Sequence, residues 1–136
     1  MSNQTSVGLL DTSLVIDLHL VKNAQDLPAL PVISVITLAE LSVGPLVAKT
    51  KGEQLKRQRL VQQVEASFSP LSFDDQCARQ FATIAFTLRK NGTKSKAKAF
   101  DALIAATALA NQIPLYTRNP KDFLGIDDLN VIEVTV

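Results

Sequence analysis

The hydrophobic pattern alternates between short β-branched segments and longer segments with helical spacing. Segments typical of short strands are Val7–Leu10 and residues 32–36, 113–117 and 131–136, and Pro70 with Leu71 leaves room for one more very short strand. Helical segments lie between them, at residues 13–21, 37–67 with a possible break at Gly44 and Pro45, 74–90 and 100–112. Strands that alternate with helices predict an α/β fold, a three-layer sandwich whose central parallel sheet of about five strands carries helices on both faces.

Length and composition place the chain among ordinary globular proteins. The 136 residues correspond to one domain, and 46% hydrophobic residues are enough for a sizeable core. Residues 1–6 precede the first strand, and we expect them to form a disordered lead. The net charge of +1 argues against a broad nucleic-acid or membrane surface. No apolar run approaches the ~20 residues of a membrane span, and a signal pattern is missing, so we expect a soluble, cytoplasmic protein.

The single cysteine and the single histidine do not suggest catalysis. Cys77 has no partner for an internal disulfide and shares a helix face with apolar residues, so we predict a core thiol. Nothing near Cys77 in the sequence would activate it. His19 is interpreted as a packed or surface residue.

Acidic residues occur where a parallel sheet binds its ligands, beyond the carboxyl ends of the strands. Asp11 directly follows the first strand, Glu40 lies one helical turn after Thr37, Asp101 opens the helix before the strand at 113–117, and Asp122 follows that strand. Clustered carboxylates repel one another unless a cation compensates. Carboxylates without Cys or His ligands suit Mg²⁺ or Mn²⁺, and the natural chemistry of such a site is phosphodiester hydrolysis.

Each of these acids also has a purely structural interpretation. Asp11 can cap the helix that follows it, and Asp101 can cap its own helix. Glu40 completes a T-x-x-E capping box with Thr37, and Asp122 can be an ordinary loop acid. These explanations are independent of one another, whereas one metal site explains all four placements together.

Four segments resemble the PIN-domain family and, within it, the VapC-type toxins of bacterial toxin–antitoxin pairs: LLDTSLVIDL at 9–18, ITLAELSVG at 36–44, FDALIAATAL at 100–109 and LYTRNPKDF at 115–123. The resemblance implies an Mg²⁺- or Mn²⁺-dependent ribonuclease that is inhibited by a partner antitoxin and is often a homodimer. It also implies that Asp11, Glu40 and Asp101 form the metal site, with Thr12 and Ser13 at its edge.

The sequence departs from the family pattern after the strand at 113–117. Many PIN domains carry a fourth acid directly after the Thr-Arg pair, but Asn119 stands there, with Asp122 three residues later. Either three acids suffice and Asn119 is a neutral ligand to water, or Asp122 completes the site. We expect both to play supporting roles.

Basic residues near Asp101 have two interpretations. Lys94, Lys96 and Lys98 form either a solvated loop or a cationic segment that holds the RNA backbone. Arg118 either contacts phosphate or shapes its loop. With six Phe, one Tyr and no Trp, a stacking platform for bases is not indicated.

Two other function classes are alternatives to the nuclease. A phosphatase of the haloacid-dehalogenase type also places an Asp after its first strand, but it needs a second Asp two residues later, where this chain has Ser13. A non-catalytic PIN-like binding module would have lost its acids, and the main three are present.

Overall fold

The computed structural model of the chain describes residues 6–92 and 98–136. Of the predicted disordered lead at residues 1–6, only Ser6 is among the described residues. Lys94 and Lys96 lie outside the described residues. Lys98 begins a helix, but its side chain is outside the description. None of the helices in the described ranges is long and apolar enough to cross a membrane.

A parallel sheet forms the centre of the molecule and confirms the predicted α/β class. Its strands are β1 (Val7–Leu10), β2 (Leu30–Val32), β3 (Leu115–Thr117) and β4 (Val131–Glu133), in the spatial order β2-β1-β3-β4. Among the described residues the sheet has four strands rather than about five. The segment at Pro70 and Leu71 contributes one parallel bridge, between Leu71 and Ser34.

Five α-helices cover the two faces of the sheet in the described ranges: α1 (Thr12–Ile16), α2 (Val35–Val47), α3 (Lys51–Ser67), α4 (Asp75–Lys90) and α5 (Lys98–Ala110). The same ranges contain three 3₁₀ turns, at Leu18–Leu20, Ala24–Asp26 and Pro120–Phe123. Side chains of a strand alternate between the faces of a sheet. Leu9 accordingly packs into a core with α4 and α5, whereas Leu10 packs into a second core with α1, α2 and α3.

The strand predicted at residues 32–36 is placed too late in the sequence. Strand β2 ends at Val32, and helix α2 begins at Val35, two residues before the predicted start at Thr37. The reason is the side chain of Ser34, which accepts a hydrogen bond from the Thr37 amide at 3.1 Å and caps the helix. This cap overrides the strand preference of the β-branched residues that follow it.

The predicted break at Gly44 and Pro45 lies three residues later than expected. Helix α2 includes Pro45 and ends at Val47, and Thr50 caps α3. Near the end of α2, the Arg57 guanidinium of α3 donates a hydrogen bond to the Gly44 carbonyl at 3.0 Å. This hydrogen bond connects the end of α2, the helix that carries Glu40, to α3.

Candidate active site

Asp11 lies at the carboxyl end of β1 and is 3% exposed. As the N-cap of α1 it accepts a hydrogen bond from the Leu14 amide at 2.9 Å, so the predicted capping role is confirmed. Ser13 Oγ donates to both carboxylate oxygens at 2.9 and 3.0 Å, and Thr117 Oγ1 donates to Oδ2 at 2.5 Å. The carboxylate is thus held by α1 and by the end of β3.

Burial raises the pKa of Asp11 above its ordinary value. Hydrogen bonds from Thr117, Leu14 and Ser13 oppose this rise, and the charge of Asp122 adds to it. The net direction is upward, so the ionised carboxylate is destabilised in its site. A cation beside it would remove this penalty.

Glu40 is half-buried on α2, and its contacts are different from those of a capping box. The Thr37 amide bonds to Ser34, and Thr37 lies inside the helix, so the capping-box interpretation is wrong. Instead, Thr12 Oγ1 donates to Glu40 Oε1 at 2.7 Å and lies 3.0 Å from Thr37 Oγ1. Burial raises the pKa of Glu40, the Thr12 hydrogen bond opposes the rise, and the charge of Asp11 adds to it. The two carboxylates are therefore close enough to interact.

Asp101 lies in the first turn of α5, which begins three residues earlier, at Lys98. The prediction that Asp101 opens this helix is therefore wrong. The Asp101 residue is half-buried. A carboxylate in a first turn is favoured by the helix dipole. Helix α5 packs against α2, the helix that carries Glu40.

Thr117 is a site residue that the sequence analysis did not single out. It is fully buried at the end of β3, and besides donating to Asp11 it accepts a hydrogen bond from the Asn119 amide at 2.9 Å. Asn119 itself is exposed, and Asp122 is half-buried and affects Asp11 through its charge. The available signal was a hydroxyl residue ending a strand at the same sheet edge as Asp11.

Arg118 forms an ion pair with Asp17, which directly follows α1. Of its two predicted roles, the structure shows the one that shapes the loop, and phosphate contact stays a prediction. The Nε atom of Arg118 is buried and has no hydrogen-bond partner among the described residues. His19 is exposed, and Cys77 is buried, as predicted.

Comparison with known proteins places this chain in a family. The chain matches the PIN domain over residues 9–129. It belongs to the PIN-domain family. This PIN domain is 31% identical to Ribonuclease VapC5 of Mycobacterium tuberculosis over 136 residues, which covers 98% of each chain. It is 35% identical to Ribonuclease VapC of Rickettsia bellii over 104 residues, which covers 75% of each.

A solved structure supports the same assignment. The crystal structure of VapBC-5 from Mycobacterium tuberculosis, a member of the VapBC family of toxin-antitoxin systems, is similar to this PIN domain with a TM-score of 0.80 and 30% identity. The similarity covers 95% of this chain and 99% of that chain. The fold of this PIN domain is therefore shared with a toxin–antitoxin protein over nearly its whole length.

The donors of the site fit a hard divalent cation. Asp11, Glu40 and the hydroxyls beside them present only oxygen atoms, the ligands that Mg²⁺ and Mn²⁺ prefer. Within residues 6–92 and 98–136, no three His, Cys, Asp or Glu side chains are close enough to hold a metal ion directly. Mg²⁺ usually binds through one or two carboxylates with water and substrate phosphate completing the shell, so this donor set remains suitable.

The geometry does not favour a haloacid-dehalogenase phosphatase. Ser13 stands where that class needs its second acid, and its hydroxyl donates to Asp11. The PIN-domain match and the VapC relatives favour the nuclease class over this alternative.

Proposed function

We propose that this PIN domain is a single-domain ribonuclease that hydrolyses RNA phosphodiester bonds in the cytoplasm as the toxin of a toxin–antitoxin pair. One observation carries the proposal: at the carboxyl edge of the sheet Thr12, the residue after Asp11, donates a hydrogen bond to Glu40 at 2.7 Å, and the charge of Asp11 raises the pKa of Glu40. Two interacting carboxylates suit a cation-assisted hydrolysis. The VapC relatives, which are named ribonucleases, support RNA as the substrate.

The proposed cofactor is Mg²⁺ or Mn²⁺, held by Asp11, Glu40 and Asp101, some of them through water. When bound, such an ion promotes deprotonation of the attacking water and stabilises charge on the phosphate oxygens. Thr12 orients Glu40, while Ser13 and Thr117 orient Asp11. Asn119 and Asp122 are proposed to support the site from the loop after β3.

A cationic segment is proposed to hold the RNA backbone. Lys94, Lys96 and Lys98 immediately precede Asp101 in the sequence. Arg118 would have to break its ion pair with Asp17 to contact a phosphate. We therefore expect it to contribute less to RNA binding than the lysines do.

An antitoxin and a second copy of the chain are the proposed protein partners. Helix α2 exposes an apolar stripe of Val43, Leu46 and Val47, with exposed fractions of 51%, 82% and 60%. Their i, i+3, i+4 spacing places them on one face, where a partner helix can pack. We expect Leu46→Ser to weaken binding of the protein encoded beside this chain, or dimerisation, in pull-down and size-exclusion experiments. A chain that stays monomeric and binds nothing encoded beside it would contradict both proposed partners.

The catalytic proposal is tested by Asp11→Asn and Asp101→Asn. We expect each variant to lose cleavage of single-stranded RNA by orders of magnitude in Mg²⁺ or Mn²⁺ while retaining its circular dichroism spectrum. Asp26→Asn is the matched control, because Asp26 is an exposed acid in a 3₁₀ turn away from the site. Full activity of Asp11→Asn refutes the site. Hydrolysis of a phosphomonoester without RNA cleavage would support the phosphatase class instead.

A further inference from the structure

A large cavity begins at the candidate active site and extends along α3. It has a volume of about 820 Å³ and includes Thr12 and Glu40 at the active-site end. One wall is formed by the end of α1 and the residues that follow it, among them Ile16 and Leu20, and the other wall by α3. A linear polymer bound at Glu40 can therefore continue along the cavity between these two walls.

The α3 wall of this cavity is basic. Lys56 and Arg59 lie three residues apart and Leu60 and Gln63 follow at helical spacing, so all four share one face of α3. Along a helix, Lys56 and Arg59 are separated by an axial rise of about 4.5 Å. Their side chains are exposed on the same side of the cavity.

Most other charges around the cavity are already paired. Asp17 pairs with Arg118, and Glu53 lies 3.7 Å from Arg57, which also bonds to the Gly44 carbonyl. In contrast, Lys56 and Arg59 form no hydrogen bond or ion pair with any residue in the part of the chain that the structure describes. Two cations are thus available to a ligand that enters from Glu40.

We propose that Lys56 and Arg59 bind backbone phosphates of the RNA strand on one side of the bond that is cleaved. The proposal rests on the proposed function, because it makes the cavity an extension of the same site. The cavity is also apolar: Ile16 and Leu20 are each 45% exposed and face the basic wall. A single-stranded nucleic acid combines charged phosphates with apolar base and ribose faces and matches both surfaces.

The test compares two double variants that each remove two positive charges. Lys56→Gln with Arg59→Gln changes the cavity wall. Lys49→Gln with Lys51→Gln is the control, because Lys49 and Lys51 are exposed near the start of α3 and do not line the cavity. Binding is measured by fluorescence anisotropy with a 2′-O-methyl oligoribonucleotide in EDTA, which is not cleaved. Cleavage of the unmodified oligonucleotide is measured separately in Mg²⁺ or Mn²⁺.

We expect the cavity variant to bind RNA roughly tenfold or more weakly than the control at about 0.1 M salt. The slope of log binding constant against log salt should become shallower by about 1.4, at ~0.7 per lost phosphate contact on a single strand. In cleavage assays KM should rise while kcat changes little, because neither residue is placed at the reacting atoms. Melting temperatures of both variants should stay close to that of the parent.

The outcomes separate this proposal from the proposed function. If the parent chain cleaves RNA and both variants bind RNA equally, the cavity proposal is overturned and the nuclease proposal stands. If the parent does not cleave but its RNA binding depends on Lys56 and Arg59, the cavity proposal stands and the nuclease proposal fails. A parent that does not bind RNA overturns the cavity proposal. A variant that loses only binding of the antitoxin protein also overturns it and assigns the cavity to a protein helix.

Discussion

Replacing Thr117 tests whether its hydroxyl sets the charge state of Asp11. Thr117→Val keeps the shape of the side chain and removes the hydroxyl that donates to Asp11 at 2.5 Å and accepts from the Asn119 amide at 2.9 Å. Thr117→Ser keeps the hydroxyl and removes one methyl group. The pair therefore separates the hydrogen bonds from packing at a position that is fully buried.

The expected loss of stability differs between the two variants. Thr117→Val removes a hydrogen bond to a carboxylate, which contributes about 1.5–3 kcal/mol, and leaves the Asn119 amide without its acceptor, which costs roughly 1 kcal/mol more. We therefore expect a loss of about 2–4 kcal/mol in the free energy of unfolding. Thr117→Ser should lose about 1 kcal/mol, the value of one buried methyl group.

The charge state of Asp11 gives a second and more specific readout. The hydrogen bond from Thr117 lowers the pKa of Asp11 and partly offsets the effect of burial. Removing it should raise that pKa further, so that the ionised form needed for cation binding appears only at higher pH. We expect the acidic limb of the pH profile of kcat/KM to move to higher pH in Thr117→Val and to stay in place in Thr117→Ser.

Urea unfolding and RNA cleavage across a pH series, with saturating Mn²⁺ or Mg²⁺, measure both quantities. An acidic limb that is the same in the parent and Thr117→Val would refute the proposed electrostatic role of Thr117. A shift of equal size in both variants would assign the effect to altered packing, since Thr117→Ser keeps the hydroxyl that donates to Asp11.

Three further predictions follow from the same contacts. Glu40→Gln should change the free energy of unfolding by less than about 1 kcal/mol, because the amide oxygen still accepts from the Thr12 hydroxyl; RNA cleavage should nevertheless fall by orders of magnitude, and normal cleavage would remove Glu40 from the site. Because the folded-state pKa of Asp11 is raised, its contribution to stability is fully present below its unfolded-state pKa and is lost as the pH rises through the folded-state value. Melting of the metal-free parent should show this loss, Asp11→Asn should lack it, and added Mg²⁺ or Mn²⁺ should counteract it in the parent alone. Gly8→Ala should cost about 1–3 kcal/mol or more, since the new Cβ would lie 2.4 Å from Tyr116 Cε1; the control Gly52→Ala, with nothing within 4 Å, should stabilise α3 by up to ~1 kcal/mol in the same thermal melts.

The layer arrangement was predictable because it depends on patterns that repeat along the chain. Alternating strand and helix segments predicted the parallel sheet, and the rule on carboxyl ends predicted that Asp11 would lie at a ligand-binding edge. The boundary between β2 and α2 was not predicted, since one hydrogen bond from the Thr37 amide to Ser34 outweighs the strand preference of β-branched residues. The strand expected near Leu71 is a single bridge, which no residue pattern specifies.

The hydroxyl partners of the acids were less predictable than the acids themselves. Thr117 donates to Asp11 across 106 residues of sequence, and Thr12 donates to Glu40 across 28. No local periodicity encodes such contacts, because they depend on which strands become neighbours. Local reasoning favoured the T-x-x-E pattern at Thr37, and it was wrong because a serine three residues earlier already satisfied the amide.

The hydrogen bonds of the two carboxylates limit how each of them can hold a cation. A carboxylate has about four lone-pair sites. Among the described residues, Ser13, Leu14 and Thr117 make four contacts with Asp11, because the Ser13 hydroxyl reaches both oxygens, so a cation would have to displace one of these donors. In the part of the chain that the structure describes, Glu40 has a single hydrogen-bond donor, Thr12, so it can contribute more to an ion or to its bound water. We therefore expect Asp11 to be the more rigid ligand of the proposed site, and Glu40 to be the carboxylate with room to adjust when RNA binds.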